Sequence, residues 1–404
     1  MSIDIRGVRE AAERIREVVV RTPVVPALPL RDRLPCAVHL KLESLQRTGS
    51  FKDRGAANRL LAMGADDGRR SLVTASAGNH AQAVAYHGGR IGADVTVVMP
   101  EHTPLVKVSN TAGFGAHVVL HGATLAEAIV EARRLEAEES RVFVHAYDDP
   151  LVIAGQGTVG LELLDQLPDL TAVVVPIGGG GLIAGIATAI KALRPDVRIF
   201  GVEAAAAASA RASRDAGHPV RLESVETIAD GIAVKRVGDL TFPIIERHVD
   251  DIVVVSETQI AAALHLLLER QKLLTEGAGA TPMAALLAGM LPLRDSDVVG
   301  VVLSGGNIDV TLLERIIDRG LVADGRLARL SVTVKDRPGQ LGGLTRIIAE
   351  EGANVLEVAH RRAFADISVR DVDIVLHLET RGRDHMEAVL ARLRAEGYVV
   401  REEG

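Results

Sequence analysis

A lysine, Lys52, sits inside "TGSFKDRGA", between a small polar run and a helix-forming stretch. Out of water such an amine gives up its proton readily and becomes a nucleophile and base; in water it is a plain surface cation. Three other stretches carry groups that could work with it. In "VVVPIGGGGLIAGIATAI" an apolar strand runs into Gly178, Gly179, Gly180 and Gly181, then Leu182 and a helix. With no Cβ in the way, backbone N–H groups there can converge on an anion. The positive end of the helix adds to the attraction, so a phosphate is the natural guest. The run is neither a P-loop, since no Lys-Ser/Thr follows, nor a GxGxxG dinucleotide turn. "TASAGNHAQA" places Ser76, Ala77, Gly78, Asn79 and His80 at a second strand-to-helix turn. Its donors could hold a carboxylate, or Ser76 or Asn79 could simply cap the helix. Ser304, in "VLSGGNID", ends a strand with its hydroxyl either in a crevice or capping the next helix. Glu276, in "LLTEGAGATP", reads equally as a site carboxylate or a solvated charge at a helix end.

Such residues act together only if the fold gathers strand ends. Apolar runs and helix-period stretches alternate for most of the 404 residues. "AVHLKLE", "SLVTAS", "DVTVVMP", "HVVLH", "RVFVHA", "AVVVPIG", "VRIFGVEA", "DIVVVS" and "VVGVVLS" read as strands, several of them continuously apolar as in parallel sheets covered on both faces. The intervening helices include "GNHAQAVAYHGGR", "ATLAEAIVEARRLEAEE" and "LIAGIATAIKALR". This order predicts an α/β fold with open, mostly parallel sheets, which bind ligands at the carboxyl ends of their strands. All three Gly- or Ser-rich turns fall at such ends. The alanine run Ala204 to Ala208 is expected to open a helix.

From "LARLSVTVKD" onward the pattern changes to βαββαβ, the ferredoxin-like unit, with alternating strands that predict a sheet covered on one face. The boundary falls in "RGLVADGRLA". Residues 1–322 are read as the catalytic part, with a smaller subdomain of roughly residues 45–150 inserted in it, and residues 323–404 as a second domain. The length itself calls for more than one core. A net charge of -7, with no basic stripe, gives no reason to expect nucleic acid or an acidic membrane as partner. The N-terminal "MSIDIRGVREAAERIREVVV" is an amphipathic helix pattern rather than a signal peptide, and no charge-free stretch approaches membrane-spanning length. The single cysteine, Cys36, fits a reducing compartment and is read as a buried small residue. A cytoplasmic location is expected.

A lysine, a phosphate cradle, a carboxylate loop and a hydroxyl form the set that pyridoxal phosphate needs. Its aldehyde takes an amine, its phosphate takes N–H donors and its ring nitrogen takes a hydrogen-bond partner. The combination of "SFKDRGA", "SAGNHAQ", "GGGGL" and "LSGGN" resembles the fold-type II pyridoxal-phosphate enzymes, and among them the threonine dehydratases (threonine ammonia-lyases). The tail "VKDRPGQLGGLTRIIAEEGANVLEV" resembles an ACT regulatory domain, so the whole resembles the single-ACT form of the enzyme. The resemblance implies that Lys52 holds the cofactor covalently and later moves the Cα proton, with Phe51 packed beside the cofactor. It implies that Asn79 bonds the phenolic oxygen, that Gly178, Gly179, Gly180, Gly181 and Leu182 cradle the phosphate, and that Ser304 faces the pyridine nitrogen. Ser76, Ala77, Gly78 and His80 would take the substrate carboxylate. The implied reaction converts L-threonine to 2-oxobutanoate and ammonia, and L-serine to pyruvate, as a first step of isoleucine biosynthesis or as a catabolic reaction.

Two positions depart from relatives. Serine racemases carry a second serine where this chain has Ala77, so racemisation is expected to be poor. Relatives with a divalent-cation site have an acid where this chain, after Glu203 and Ala207, has Ser209. The site is therefore read as holding a monovalent ion or none in preference to magnesium or calcium. In the tail, the turn Asp336 to Leu344 would present N–H groups to an effector carboxylate, and Asn354 could reach the same ligand. Isoleucine or valine is the expected effector, and a dimer or tetramer the expected assembly. A β-replacement enzyme on the same scaffold and a non-catalytic amino-acid sensor are the competing readings. The first is disfavoured by "SAGNHAQ" and the ACT-like tail, the second by the intact Lys52.

Overall fold

Runs such as "AVVVP" have no polar face to turn to water, so their strands must be covered on both sides. The computed structural model describes residues 3–63, 71–362, 368 and 370–403. Among them, ten strands lie in the first three quarters of the chain. They are β1 (Val24–Pro26), β2 (Ala37–Leu42), β3 (Ser71–Ala75), β4 (Asp94–Met99), β5 (His117–Leu120), β6 (Val142–Phe143), β7 (Ala172–Pro176), β8 (Arg198–Ala204), β9 (Asp251–Val255) and β10 (Val298–Leu303). They form two sheets. One has the order β1-β2-β10-β7-β8-β9, parallel except for β1, and the other has the order β5-β4-β3-β6, parallel throughout. The second sheet lies in sequence between β2 and β7. Every residue of β7 is buried, and its valines Val173 and Val175 share a core cluster with the helix Gly181–Leu193. That helix meets the helix Pro150–Gln166 backbone to backbone. A Cβ on Gly157 would stand 2.8 Å from the carbonyl oxygen of Gly185, so only glycine permits the approach.

Every run read as a strand in this part of the chain forms one, five in the first sheet and four in the second. The first sheet also adds an unread strand, the three-residue β1, too short to show a period. β6 is shorter than "RVFVHA" suggests: it ends at Phe143, and the chain bends at residues 146–149. The alanine run does not open a helix: Ala205–Ala207 makes a 3-10 turn, and the next helix is Ser209–Ala216. Glu203 explains the delay. Its two carboxylate oxygens accept from the N–H groups of Ala210 and Arg211, both at 2.8 Å, so the helix starts where that cap can reach it. Glu203 is fully buried, not solvated, and burial pushes its carboxyl up to about 7. Cys36 is buried and free, as expected. Among the described residues no helix is long and apolar enough to cross a membrane.

The chain divides into two compact units, residues 1–308 and 309–404. The helix Val310–Ala323 groups with the second unit, whereas the sequence reading places it with the first; only a short turn separates it from the strand that follows. That unit holds β11 (Leu327–Lys335), β12 (Asn354–Arg361), β13 (Asp371–Glu379) and β14 (Val399–Glu403), antiparallel in the order β12-β13-β11-β14. The helices Gln340–Glu350 and Arg383–Ala395 complete βαββαβ. Leu344, Ile348, Val389 and Leu393 pack on Leu330, Val332, Leu376 and Leu378 to make its core.

Candidate active site

The helix Lys52–Leu61 brings Lys52 to its first position. A buried ion network below Lys52 fixes the helix. Arg54 makes two 2.8 Å bonds to Glu43 and further bonds to Glu162 at 2.6 and 2.9 Å, and Lys41 donates to Glu162 at 2.5 Å. The Arg54 and Glu43 side chains are wholly buried. Burial alone would raise the Glu43 carboxyl, but the Arg54 guanidinium holds it below its ordinary value. On the next residue down, Asp53 accepts from the N–H and hydroxyl of Thr48 at 3.0 and 2.7 Å, which closes the loop leading into Lys52.

Lys52 is not the exposed cation that its local sequence allows. Its Nζ donates to the Ala146 carbonyl at 2.8 Å and stands 5.1 Å from the centre of the Phe51 ring. Burial lowers its ammonium to about 8, opposed by the negative charge of Glu276. A usable fraction is therefore neutral amine near neutral pH. Phe51 donates its N–H to the Ser304 carbonyl at 2.9 Å, and Ser50 bridges to Gly305. Ser304, at the end of β10, is 1 % exposed. It does not cap the next helix, whose cap is Asp309.

The glycine run has the geometry of an anion cradle. Gly180 has φ +90°, a conformation side chains rarely adopt, and it turns the chain into the helix Gly181–Leu193. Among the described residues, the N–H groups of Gly178, Gly179, Gly180, Gly181 and Leu182 donate to no carbonyl or side chain. Five unspent donors at a helix N-terminus fit a phosphate. The cradle is held from outside by Thr241, whose hydroxyl donates to the Gly179 carbonyl at 2.8 Å, and by the N–H of Gly238 at 3.1 Å.

The second turn behaves likewise. The cap position of the helix Asn79–Arg90 is Gly78, with no side-chain cap, so neither Ser76 nor Asn79 caps it. The Ser76 hydroxyl instead accepts from Gly78 N–H at 3.2 Å. The Asn79 amide reaches Glu276, 2.9 Å from each carboxylate oxygen. Glu276 is 2 % exposed, so it is not a solvated charge at a helix end. Burial and the nearby Asp230 charge push it up to about 7, against Asn79, Lys107 and Lys52. His80 bonds the Val144 carbonyl through Nε2 at 3.0 Å; a carbonyl only accepts, so Nε2 carries the hydrogen. Burial, reinforced by Lys52, lowers His80 to about 3, so it is neutral.

Three contributors went unassigned in the sequence. Tyr147 lays its ring over Gly179, and its hydroxyl donates to the Arg236 carbonyl at 3.2 Å. His145 accepts from the N–H groups of Tyr147 and Asp148 at 3.2 and 2.8 Å, which shapes the turn offering Ala146 to Lys52. Asn307 links Thr48 to Asn79. The signals were present in "HAYDDP" at a strand end and in the asparagine of "SGGN". Contacts now run in one circuit from Gly179 through Tyr147, Ala146, Lys52, Phe51, Ser304, Gly305 and Glu276 to Asn79. An amine of lowered pKa, a turn with undonated N–H groups and a second helix N-terminus therefore share one site.

The family model for pyridoxal-phosphate dependent enzymes matches residues 15–305, and that for the ACT domain matches residues 328–397. An L-threonine ammonia-lyase of Geobacter sulfurreducens is 47% identical over 396 residues, covering 97% of this chain and 98% of its own length. One of Thermotoga maritima is 44% identical over 399 residues, 99% of each chain. Among solved structures, the processed form of threonine deaminase isoform 2 from Solanum lycopersicum superposes with a TM-score of 0.73 at 36% identity, over 78% of this chain and 89% of that one. Maize serine racemase gives a TM-score of 0.75 at 36% identity, over 80% and 99%. The chain belongs to the family of pyridoxal-phosphate-dependent enzymes, of fold type II, with a C-terminal ACT domain. Within that family its full-length relatives carry the name L-threonine ammonia-lyase, and pyridoxal phosphate is its cofactor. The unspent donors of the glycine run and the lysine of lowered pKa fit that cofactor.

Proposed function

We propose that this enzyme removes the elements of water from L-threonine and releases 2-oxobutanoate and ammonia, and turns L-serine into pyruvate by the same path. The observation that carries the reading is Lys52, seated on the Ala146 carbonyl within one circuit of contacts that includes both helix N-termini. Full-length relatives named L-threonine ammonia-lyase support the substrate.

Pyridoxal phosphate, when bound, supplies an electron sink beside the substrate Cα. The protein's own groups do the rest. Gly178 to Leu182 direct N–H groups at the phosphate. Ser76, Ala77, Gly78 and His80, at the start of the Asn79–Arg90 helix, take the substrate carboxylate and so fix which bond at Cα is presented. Lys52, neutral at or above about pH 8, accepts the Cα proton. Ser304, buried at the end of β10, would meet the cofactor's ring nitrogen with a hydroxyl and not a carboxylate, an arrangement that would favour loss of the β-hydroxyl in step with the Cα proton. Water lost in the elimination is regained when the product imine hydrolyses, so threonine yields 2-oxobutanoate and ammonia in balance. Ala77 offers no hydroxyl on the opposite face, which disfavours racemisation.

The ACT domain is read as an amino-acid sensor, with isoleucine or valine as effector and a biosynthetic role for the reaction. Gly339, at φ +91°, turns the chain into the helix Gln340–Glu350, whose N-terminus is the candidate position for the effector carboxylate. The test is 2-oxo acid release from L-threonine and L-serine, with and without L-isoleucine. Release that isoleucine suppresses supports both parts. Release indifferent to isoleucine removes the effector. No release from a cofactor-loaded protein whose spectrum still responds to amino acids points to β-replacement or sensing.

A further inference from the structure

The Asn79 side chain is held from both ends by groups that no part of the reaction requires. The Thr48 carbonyl can only accept, and Asn307 Nδ2 donates to it at 2.8 Å. The same nitrogen donates to Asn79 Oδ1 at 2.8 Å, so both Asn307 hydrogens are spent. Asn79 Nδ2 is then left to face Glu276, at 2.9 Å from each oxygen. Two oxygens of one carboxylate subtend a much narrower angle at that nitrogen than its two N–H bonds make. One N–H is therefore shared between them, and the other is free. Turning the amide over would set its oxygen against the carboxylate and its NH2 against the NH2 of Asn307.

The two holders are themselves immobile. A Cβ on Gly305 or Gly231 would stand 2.6 or 3.0 Å from Glu276 Oε1, so the carboxylate is wedged between two turns. The Glu276 N–H donates to the Gly305 carbonyl at 2.9 Å. A Cβ on Gly49 would stand 2.7 Å from Asn307 Oδ1. Asp53 pins Thr48, and Asp53 follows Lys52 directly. A single chain of hydrogen bonds thus runs from the lysine helix through Thr48 and Asn307 to Asn79 and Glu276.

We propose that Asn307 and Glu276 are positioning residues that set the rotation of the Asn79 amide, so that an N–H and not the oxygen is offered to the phenolic oxygen of the cofactor. This rests on the reading that Asn79 faces that oxygen. A phenolate needs a donor, and the flipped amide would present it with a second acceptor. Asn307 acts only through Asn79 and touches neither substrate nor cofactor.

The test is a double-mutant cycle on cofactor binding: Asn79→Ala, Asn307→Asp and the pair, each read by the pyridoxal-phosphate dissociation constant and the visible spectrum of the bound cofactor. Asp at 307 cannot donate in its ionised form and favours the flipped amide. Each single change is expected to weaken binding about 10–100-fold, the worth of one hydrogen bond to a charged acceptor, and to move the visible band. The pair is expected to be no weaker than Asn79→Ala alone. Wild-type affinity and spectrum in Asn307→Asp, or effects that add in full, would overturn the proposal. If Asn79→Ala itself changes neither, the placement of Asn79 at the cofactor fails and this inference fails with it. If Asn307→Asp does not fold, Asn307→Ala replaces it in the same cycle, with a smaller but equally non-additive loss expected.

Discussion

Gly180→Ala tests the anion cradle at its turning point. At φ +90° an L side chain pays conformational strain of about 1–2 kcal/mol. The new Cβ would also stand 2.8 Å from both the Ile245 side chain and the Thr241 hydroxyl, and overpacking of that kind costs about 1–3 kcal/mol. Thr241 holds the Gly179 carbonyl, so moving it disturbs the same N–H groups proposed to meet the phosphate. Gly289→Ala separates the two costs, because Gly289 has φ +64° with nothing within 4 Å of its would-be Cβ. Equilibrium unfolding and cofactor titration should be run on both variants. Gly289→Ala is expected to lose stability by the strain alone and keep its cofactor affinity. Gly180→Ala should lose more stability, and its affinity should fall about 10–100-fold if one charge-assisted bond to the phosphate is lost. Unchanged affinity in Gly180→Ala would refute the assignment of the cradle.

Two further outcomes follow from the electrostatics. Cofactor uptake by the apo-protein requires the neutral Lys52 amine, so its initial rate should rise with pH and level off above about 8. A rate still climbing toward pH ~10, the ordinary lysine range, would show that burial does not lower this amine. Arg54→Leu leaves Glu43 charged and buried without its partner, so urea unfolding should show a loss of about 3–5 kcal/mol; a loss under ~1 kcal/mol, the worth of an exposed pair, would mean the network does not anchor the lysine helix.

Much of the fold was legible because the parallel strands are continuously apolar and their turns are marked by glycine and serine. Runs rich in β-branched residues between such turns show that pattern, as in β7 and β10. Elements governed by distant partners were not legible. The start of the Ser209–Ala216 helix depends on a cap from Glu203, and the three residues of β1 are ordered only by pairing with β2. The same division holds at the site. The glycine run announces its chemistry locally; Lys52 does not, because its own stretch allows an exposed cation and only the fold buries it against the Ala146 carbonyl. Glu276 does not, because its burial comes from Asn79 and from the turns at Gly231 and Gly305, all far away in sequence. Tyr147 and Asn307 act on residues that the chain brings near only after folding, so their places in "HAYDDP" and "SGGN" did not show what they contact.

The central claim is that Lys52 is the amine that carries the cofactor. Borohydride adds hydride across a carbon–nitrogen double bond and makes that attachment permanent, so reduction of the holoenzyme followed by peptide mass spectrometry locates it. The account predicts a pyridoxyl label on the peptide containing Lys52 and its disappearance in Lys52→Ala. A label on Lys41, Lys107 or another lysine in the wild-type protein would contradict it.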